Sequence, residues 1–481
     1  MSKSIKKNYI YNLSYQVISV LAPLITAPYL ARTLGPSSIG YYSYISSIVV
    51  YFTVFAGLGT FVVGQREIAY SQCDIQKRTK TFIDIALLRT ILTSVVLIIY
   101  ILFLFYNKLP LIYYAQILAL VNIALDSTWF FIGLEDFSTI VTRQFITKLL
   151  LIVLIVLLVK KPEDVLVYSI IPHAVCLICY LSYLPSILSK IDIKYKCNNN
   201  PFLYLKDSII LFLPYIATTI NTHFDRIMIG IYDVTKQQNG YYEEAYKIVS
   251  ILLLIITVIG NTLMPRVSSL YKSNKKELVN HYMLRSYQYT FMISLPMSLG
   301  LICVASNIVP WFLGYSFFSS VKILMILSLV LIFTGISYIT GYQYLISTGK
   351  QKEYTIIVTL GALFNVILNI VLIPKYYAIG AAIATVLSEM LVAIIELTIV
   401  KNDISIVSII MSIWKYVLAS IIMFCVVWNL SNMMYASIVN TSVLFLTGLL
   451  VYSLILCVLK EQLFYDIINM LMHKAKYIIK K

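Results

Sequence analysis

Apolar runs of about twenty residues recur from one end of this chain to the other, each long enough to cross the ~30 Å hydrocarbon core of a bilayer. Inside a bilayer the backbone must satisfy its own polar groups, so runs of this kind become helices. The expected fold class is therefore an all-α polytopic membrane protein. Of the 481 residues, 60% are hydrophobic and 12% charged, with a mean hydropathy of +0.86. A soluble domain carries about twice that charged share, so no soluble domain of any size is expected. We count fourteen spans, near 10–31, 41–63, 82–106, 111–132, 145–159, 165–189, 207–231, 242–264, 287–312, 318–346, 354–373, 378–400, 411–430 and 437–459.

The first run precedes no small-residue cleavage site and reads as a retained helix. The net charge of +16 suggests nucleic acid until its placement is considered. With the N-terminus inside, 27 of the 37 Lys and Arg fall in cytoplasmic tails, loops and flanks, and seven fall outside. That asymmetry puts both termini in the cytoplasm and makes the basic surplus a topology signal, not a nucleic-acid surface. The seven cysteines lie in spans or cytoplasmic loops, where disulfides are not expected.

Within the first span and its exit, Pro23 to Tyr44 reads PLITAPYLARTLGPSSIGYYSY. Pro23 and Pro28 should bend or break the helix, and Arg32 follows as an isolated charge where charges are costly and functional. Asn12, Gln16, Ser19, Pro23 and Thr26 are spaced 4, 3, 4, 3 and share one face, which either lines a polar cavity or forms a packing seam. Span 7 repeats the logic: Pro214, Thr218, Asn221, Thr222 and Asp225 share a face, and Arg226 follows. The repeat continues outside the membrane, where LGPSSIGYYSYISSIVV (34–50) matches YDVTKQQNGYYEEAYKIVS (232–250), equating Gly40-Tyr41-Tyr42 with Gly240-Tyr241-Tyr242. A second echo pairs Gly133 in FIGLEDF with Gly349 in LISTGKQKEY. Two parallel six-span bundles follow, 1–200 and 201–405, with a hinge near Asn198 to Pro201 and two further spans with a basic tail at 406–481. Parallel repeats place a transport path at their interface.

Other polar residues within the spans carry two readings each. Gly57, Gly59 and Gly64 suit close helix approach, and the basic loop 65–80 is either a topological anchor or a lipid-headgroup contact. Asp84 and Arg89 in span 3, with Asn122 and Asp126 in span 4, form either a structural pairing or an inner gate. His173, Cys176 and Cys179 have a metal-like spacing, but a repeat of three fans the ligands apart on a helix, favouring ordinary buried thiols. Asn365 and Asn369 share a face of span 11, and Glu389 and Glu396 share one of span 12. Spans 13 and 14 look peripheral and lipid-facing. No phosphate-binding loop, catalytic triad or dinucleotide loop is evident, and the outer loops are short, so an enzyme is not expected.

PYLARTLGPSSIGYY, DRIMIG followed by NGYY, and NVILNIVLIPKYYAIGAAIATVLSE resemble the Wzx-type oligosaccharide flippases. These form the polysaccharide-biosynthesis branch of a superfamily that also holds the MATE multidrug exporters and the lipid II flippases. The resemblance covers about residues 5 to 460; family members usually have twelve spans, which sets the last two apart. It implies a MATE-like V of two six-helix bundles in a bacterial cytoplasmic (inner) membrane. It also implies movement of an undecaprenyl-diphosphate-linked oligosaccharide between leaflets, by alternating access, for O-antigen or capsule assembly. A polysaccharide polymerase and chain-length proteins are then natural partners, with membrane lipid and no nucleic acid. Such a substrate needs cations for its diphosphate, and Arg32, Arg226 and Lys247 are the candidates. For Arg226 the alternatives are a local pair with Asp225 or an interfacial anchor. The cavity stripe would comprise Asn12, Gln16, Asn221, Asp225, Asn365 and Asn369. Glu389, helped by Asp225, is either the site coupled to a proton or sodium gradient or a structural hydrogen bond; no other cofactor is expected. The rivals are a multidrug exporter of the same fold, which would want an acidic cavity, and a membrane-embedded polymerase, which would want a large outer loop.

Overall fold

The computed structural model describes residues 2–192, 195, 200–401, 403–466, 468–469 and 472, with side chains from Ala22 onward except at 213, 214, 217, 221 and 258–262. Among the described residues every regular element is helical. In chain order these are α1 (Ser2–Gly57), α2 (Thr60–Tyr70), α3 (Ile75–Asn107), α4 (Leu111–Ala115), α5 (Ile117–Leu125), α6 (Thr128–Gly133), α7 (Phe137–Leu158), α8 (Val165–Ser182), α9 (Leu184–Leu188) and α10 (Leu205–Tyr232). They continue with α11 (Gln237–Lys272), α12 (Lys276–Phe312), α13 (Ser320–Leu327), α14 (Val330–Ser337), a π-helical segment (Tyr338–Ile346), α15 (Gln351–Val400), α16 (Ile406–Met433) and α17 (Ile438–Val458).

Ten continuous stretches among the described residues are long and apolar enough to cross a membrane. Two of them, Ala22–Tyr70 and Gln351–Val400, have 49 and 50 residues. Straight, each would run about 75 Å, more than twice the hydrocarbon thickness. Each therefore holds two spans, divided where the backbone leaves helical geometry at Gly35 (φ 72°) and at Tyr377 (φ 50°). With α10 and α11, which are not among those ten stretches, the described helices can accommodate the expected fourteen.

The break in α1 is not where the prolines predict it. Pro23 and Pro28 stay inside the helix, and the chain turns at Gly35, just before Pro36. Glycine alone tolerates that left-handed conformation without strain, and the following proline disfavours α geometry at residue 35. A lost donor in a membrane helix is survivable where neighbours cover it; a turn is not imposed by the proline alone.

By contacts the chain forms two compact units, residues up to Gly240 and from Tyr241 onward. The boundary lies forty residues past the expected hinge because α10, the first helix of the second repeat, packs on α1 and α2. A Cβ on Gly59 would overlap the Ser208 carbonyl of α10, and one on Gly64 would press into the Trp129 ring. Gly57 meets nothing so close. The unit's core is largely aromatic: Trp129, Phe130, Phe131 and Tyr183 are buried around Ile68 and Ile85.

In the second unit α12 is the central post. Tyr416, Ala419, Met423 and Val427 of α16 and Leu444, Tyr452 and Leu456 of α17 enter its core. The Tyr452 hydroxyl donates to the Met292 carbonyl at 2.9 Å, and the Trp311 indole to Thr441 at 2.8 Å. The last two helices are thus only half as expected. One face shows Trp414, Ile421, Phe445 and Leu449 outward, and the other is bolted to α12.

The second sequence echo is real but two residues out of register. Asp136 N–H bonds Phe131 O and Glu135 N–H bonds Ile132 O; Lys350 N–H bonds Leu345 O and Gly349 N–H bonds Ile346 O. These are the same helix-ending hydrogen bonds, with a left-handed residue at Glu135 (φ 57°) and Gly349 (φ 82°). From each turn an ion pair reaches the far end of the same repeat: Asp136 to Lys190 at 2.7 Å, and Lys350 to Asp403 at 2.8 Å. The positions match and the signs are reversed. Burial alone would raise the Asp136 carboxyl, but Lys190 with the Thr139 and Ser138 hydroxyls holds it at about 2. Asp403 is likewise lowered, as Lys350 and Tyr344 outweigh its burial.

Candidate functional site

The three candidate cations are placed differently. Arg32 is exposed on α1, one turn before the Gly35 break. Arg226 is only 6% exposed on α10, and its guanidinium donates to the Thr222 carbonyl one turn back. Asp225 beside it is 1% exposed, within electrostatic reach of Tyr51 on α1. Lys247 lies in the other unit and pairs along its own helix with Glu244 at 2.7 Å and Glu243 at 3.8 Å. Sequence reading overlooked those two carboxylates, although spacings of three and four were there to be seen. Lys247 therefore brings no net positive charge of its own.

The polar stripe is likewise divided. The side chains of Asn12, Gln16 and Asn221, and hinge residues 196–199, lie outside the described residues. Thr218, Thr222 and Thr26 spend their hydroxyls on carbonyls of their own helices. Asn365 and Asn369 are fully buried and bond each other at 2.9 Å.

Next to Arg226 the Gly35 bend of α1 and the turn after α10 lock together through the repeated motif. A Cβ on Gly40 would overlap the Lys236 carbonyl, and one on Gly240 the Pro36 carbonyl. The Ser37 hydroxyl donates to Thr235 O at 2.6 Å. Buried Asn239 donates from its amide to the carbonyls of Gly40 (3.4 Å) and Arg226 (3.0 Å), tying the cation's backbone into the joint. Asp233 caps the turn, accepting from Thr235 N–H at 3.0 Å and Gln238 N–H at 2.7 Å.

The four polar residues of spans 3 and 4 are each hydrogen-bonded within the first unit. Arg89 is buried and donates to Ile123 O at 2.7 Å and Thr60 Oγ1 at 3.3 Å. Asp126 accepts from Thr128 N–H and Oγ1–H at 2.9 and 2.5 Å, Asn122 donates to His173 O, and Asp84 accepts from Asn200 N–H. His173 pairs with Gln116 at 3.0 Å, and no group of three metal-ligating side chains is found among the described residues.

A second polar centre lies in the second unit. Glu389 is half-buried and accepts from Thr334 at 3.0 Å. Two turns further along α15, Glu396 is fully buried, and neither of its oxygens has a partner of ordinary hydrogen-bond geometry. The π segment supplies its floor: a Cβ on Gly341 would overlap Glu396 Oε1 and crowd the Tyr354 ring. Around it run Tyr287–Thr340 at 2.6 Å and Gln343–Ser286 at 2.8 Å. The sequence marked Glu396 only as sharing a face with Glu389; nothing in it signals the π geometry.

These features can be set beside known proteins. The family profile "Polysaccharide biosynthesis protein" matches residues 5–271, and that of "Lipid II flippase MurJ" matches 218–456. A "Putative O-antigen transporter" of Escherichia coli K12 is 25% identical over 409 residues, covering 83% of this chain and 97% of that protein. The "Probable low-salt glycan biosynthesis flippase Agl15" of Haloferax volcanii is 26% identical over 228 residues, 47% of this chain and 46% of its own. Among solved structures, lipid II flippase MurJ in an inward closed conformation superposes with a TM-score of 0.76 at 19% identity, covering 95% of this chain and 99% of that one. An inward-facing MATE family transporter gives 0.66 at 15%, covering 81% and 94%. The last two likenesses establish the fold. With more than half its length matched by one family profile, the chain belongs to the polysaccharide biosynthesis protein family, as a multi-pass membrane protein with the fold of the MurJ and MATE transporters.

Proposed function

We propose that the protein is a flippase. It moves undecaprenyl-diphosphate-linked oligosaccharide repeat units from the cytoplasmic to the outer leaflet of a bacterial inner membrane, for O-antigen or capsule assembly. A proton or sodium gradient drives it, both termini are cytoplasmic, and a polymerase with its chain-length proteins takes the product. No bond is made or broken in the substrate, so the activity is transport and not catalysis. The observation that carries this reading is the nearly full-length match to a protein named as an O-antigen transporter. The rival drug exporter rests on a likeness of fold alone.

In this reading Arg226 and Arg32 handle the diphosphate, and Lys247, already paired with two carboxylates, contributes least. The repeats 1–200 and 201–405 are the moving bundles, and 406–481 braces the second. Asp225 and Glu389 are the coupling candidates named by the sequence. The test is complementation of a strain lacking its own flippase, reading surface polysaccharide at equal protein level. Wild type should restore the polymer, Arg226→Lys should retain part of it, and Arg226→Gln less, because charge without the guanidinium fork binds phosphate less well. Equal restoration by wild type, Arg226→Gln and Arg32→Gln removes the cation role. Drug resistance without surface polymer would replace the flippase reading with the exporter.

A further inference from the structure

The Glu396 carboxyl is the least explained polar group among the described residues. It is 0% exposed, and both oxygens lack a partner of ordinary geometry; Ser337, on α14, is the hydroxyl that faces it. The titratable groups around it are Glu389 and Tyr354 of its own helix and Tyr287 of α12, with Tyr338 and Tyr342 of the π segment behind Tyr354. None of them is a cation. An ionised carboxylate in such a place would forfeit its hydration with only the Ser337 hydroxyl in return, at a cost of many kcal/mol. A neutral acid costs far less.

The surroundings are built for the head group and are unusual in themselves. Nine consecutive residues, Tyr338–Ile346, are π-helical. Such geometry is rare, and where it occurs it is frequently functional, because a widened turn can revert to α by shifting one residue. At its centre Gly341 presents bare backbone, and that bareness is what lets Glu396 Oε1 and the Tyr354 ring sit against the segment. Glu396 is also four residues from Val400, so about 6 Å of helix separates it from the end of α15. A displacement of the π segment would lift the backbone of Gly341 off the carboxyl and give water a way to it. Once wetted, a carboxyl ionises at neutral pH.

We propose that Glu396 is the proton-carrying group of this transporter, holding one proton while seated on Gly341 and releasing it when the π segment moves off. One proton is bound and one released per cycle, and the side chain alternates between charge zero and minus one. The assignment deepens the gradient-driven flippase reading and names a group other than Glu389, whose carboxylate already accepts from Thr334.

The test uses the full-length protein and the carbodiimide DCCD, which enters apolar sites. A protonated carboxyl adds its oxygen across a C=N bond, its proton passing to nitrogen; the acyl group of this O-acylisourea then migrates from oxygen to nitrogen, breaking one C–O bond as a C–N bond forms, to leave a stable N-acylurea with no leaving group. In purified wild type, peptide mass spectrometry should find the adduct on Glu396 near neutral pH, declining as pH rises. Absence of that adduct at every pH overturns the proposal, whatever any variant does. In reconstituted vesicles E396Q should lose the dependence of transport on an imposed proton gradient, whereas E353Q, at the exposed first turn of α15, should keep it. Unchanged rate and gradient dependence in E396Q also overturns the assignment. If Glu396 labels as expected and no lipid-linked oligosaccharide moves in any vesicle, the flippase reading fails and the proton site stands.

Discussion

The fourth and tenth spans depart from α geometry at the same place and accommodate the departure in opposite ways. The register that equates Asp136 with Lys350 and Lys190 with Asp403 also equates Ser127 with Gly341 and Tyr183 with Glu396. In the first unit the break falls between α5 and α6, where Asp126 satisfies the new helix start through Thr128. The level beneath is filled by Trp129, Phe131 and Tyr183. In the second unit the helix does not break but widens into the π segment, and the matching level holds a carboxyl with no partner of ordinary geometry. One repeat closes its irregularity with packing; the other keeps it chemically open. A duplicated scaffold has thus specialised, with rigidity on one side and titratable chemistry on the other.

The comparison breaks most visibly at Trp129, which is buried, stacked on Phe82 at 5.5 Å and set over Gly64. Trp129→Ala should lower unfolding stability in detergent by about 3–5 kcal/mol, as large-to-small core changes do, without altering the pH dependence of transport. A pH effect there would mean the first unit is not merely scaffold. Gly341→Ala comes next: overpacking against Glu396 should cost about 1–3 kcal/mol and shift the pH profile of transport. Its repeat mate Ser127→Ala should do neither. Equal behaviour of the two would erase the distinction.

The ion pairs probe what the halves still share. Lys190→Asp should cost about 1 kcal/mol in thermal unfolding, the scale for partly exposed pairs, and adding Asp136→Lys should restore it, since the other repeat already runs with the signs reversed. Failure of the swap would show that the sign is fixed by something beyond the pair. The smallest effect is in acid. A carboxyl held at about 2, below the usual value of about 4, contributes fully above about pH 4 and loses its contribution as pH falls towards 2. Wild type should therefore lead Asp136→Asn in stability at pH 5, and the lead should shrink through pH 3 and vanish only below pH 2.

Hydropathy and charge placement made the spans legible, because a bilayer leaves the backbone so few solutions. The repeat was legible from Gly-Tyr-Tyr and from the two proline-bearing stripes. Proline positions misled, since Pro23 and Pro28 remain inside helix while Gly35 turns. Lys247 misled because its charge was read alone and not with Glu243 and Glu244 one turn away. Glu396 was visible as a letter but not as a site. Its distinction depends on a helix whose hydrogen-bond pattern shifts by one residue over Tyr338–Ile346, and no periodicity in the sequence announces that.

The glycine joint has a consequence for ancestry. Gly40 and Gly240 are counterparts in the two repeats, and each is pressed against the other's turn so closely that neither tolerates a methyl group. Contact between a residue and its own counterpart is the defining contact of a twofold homodimer, in which one patch serves both partners. A gene that duplicated and fused would carry such a contact over without inventing a new surface. It would also bind the two copies to a shared fate at that codon: elsewhere the halves have been free to diverge, even to exchange the signs of an ion pair, but here a change in either copy is felt by both.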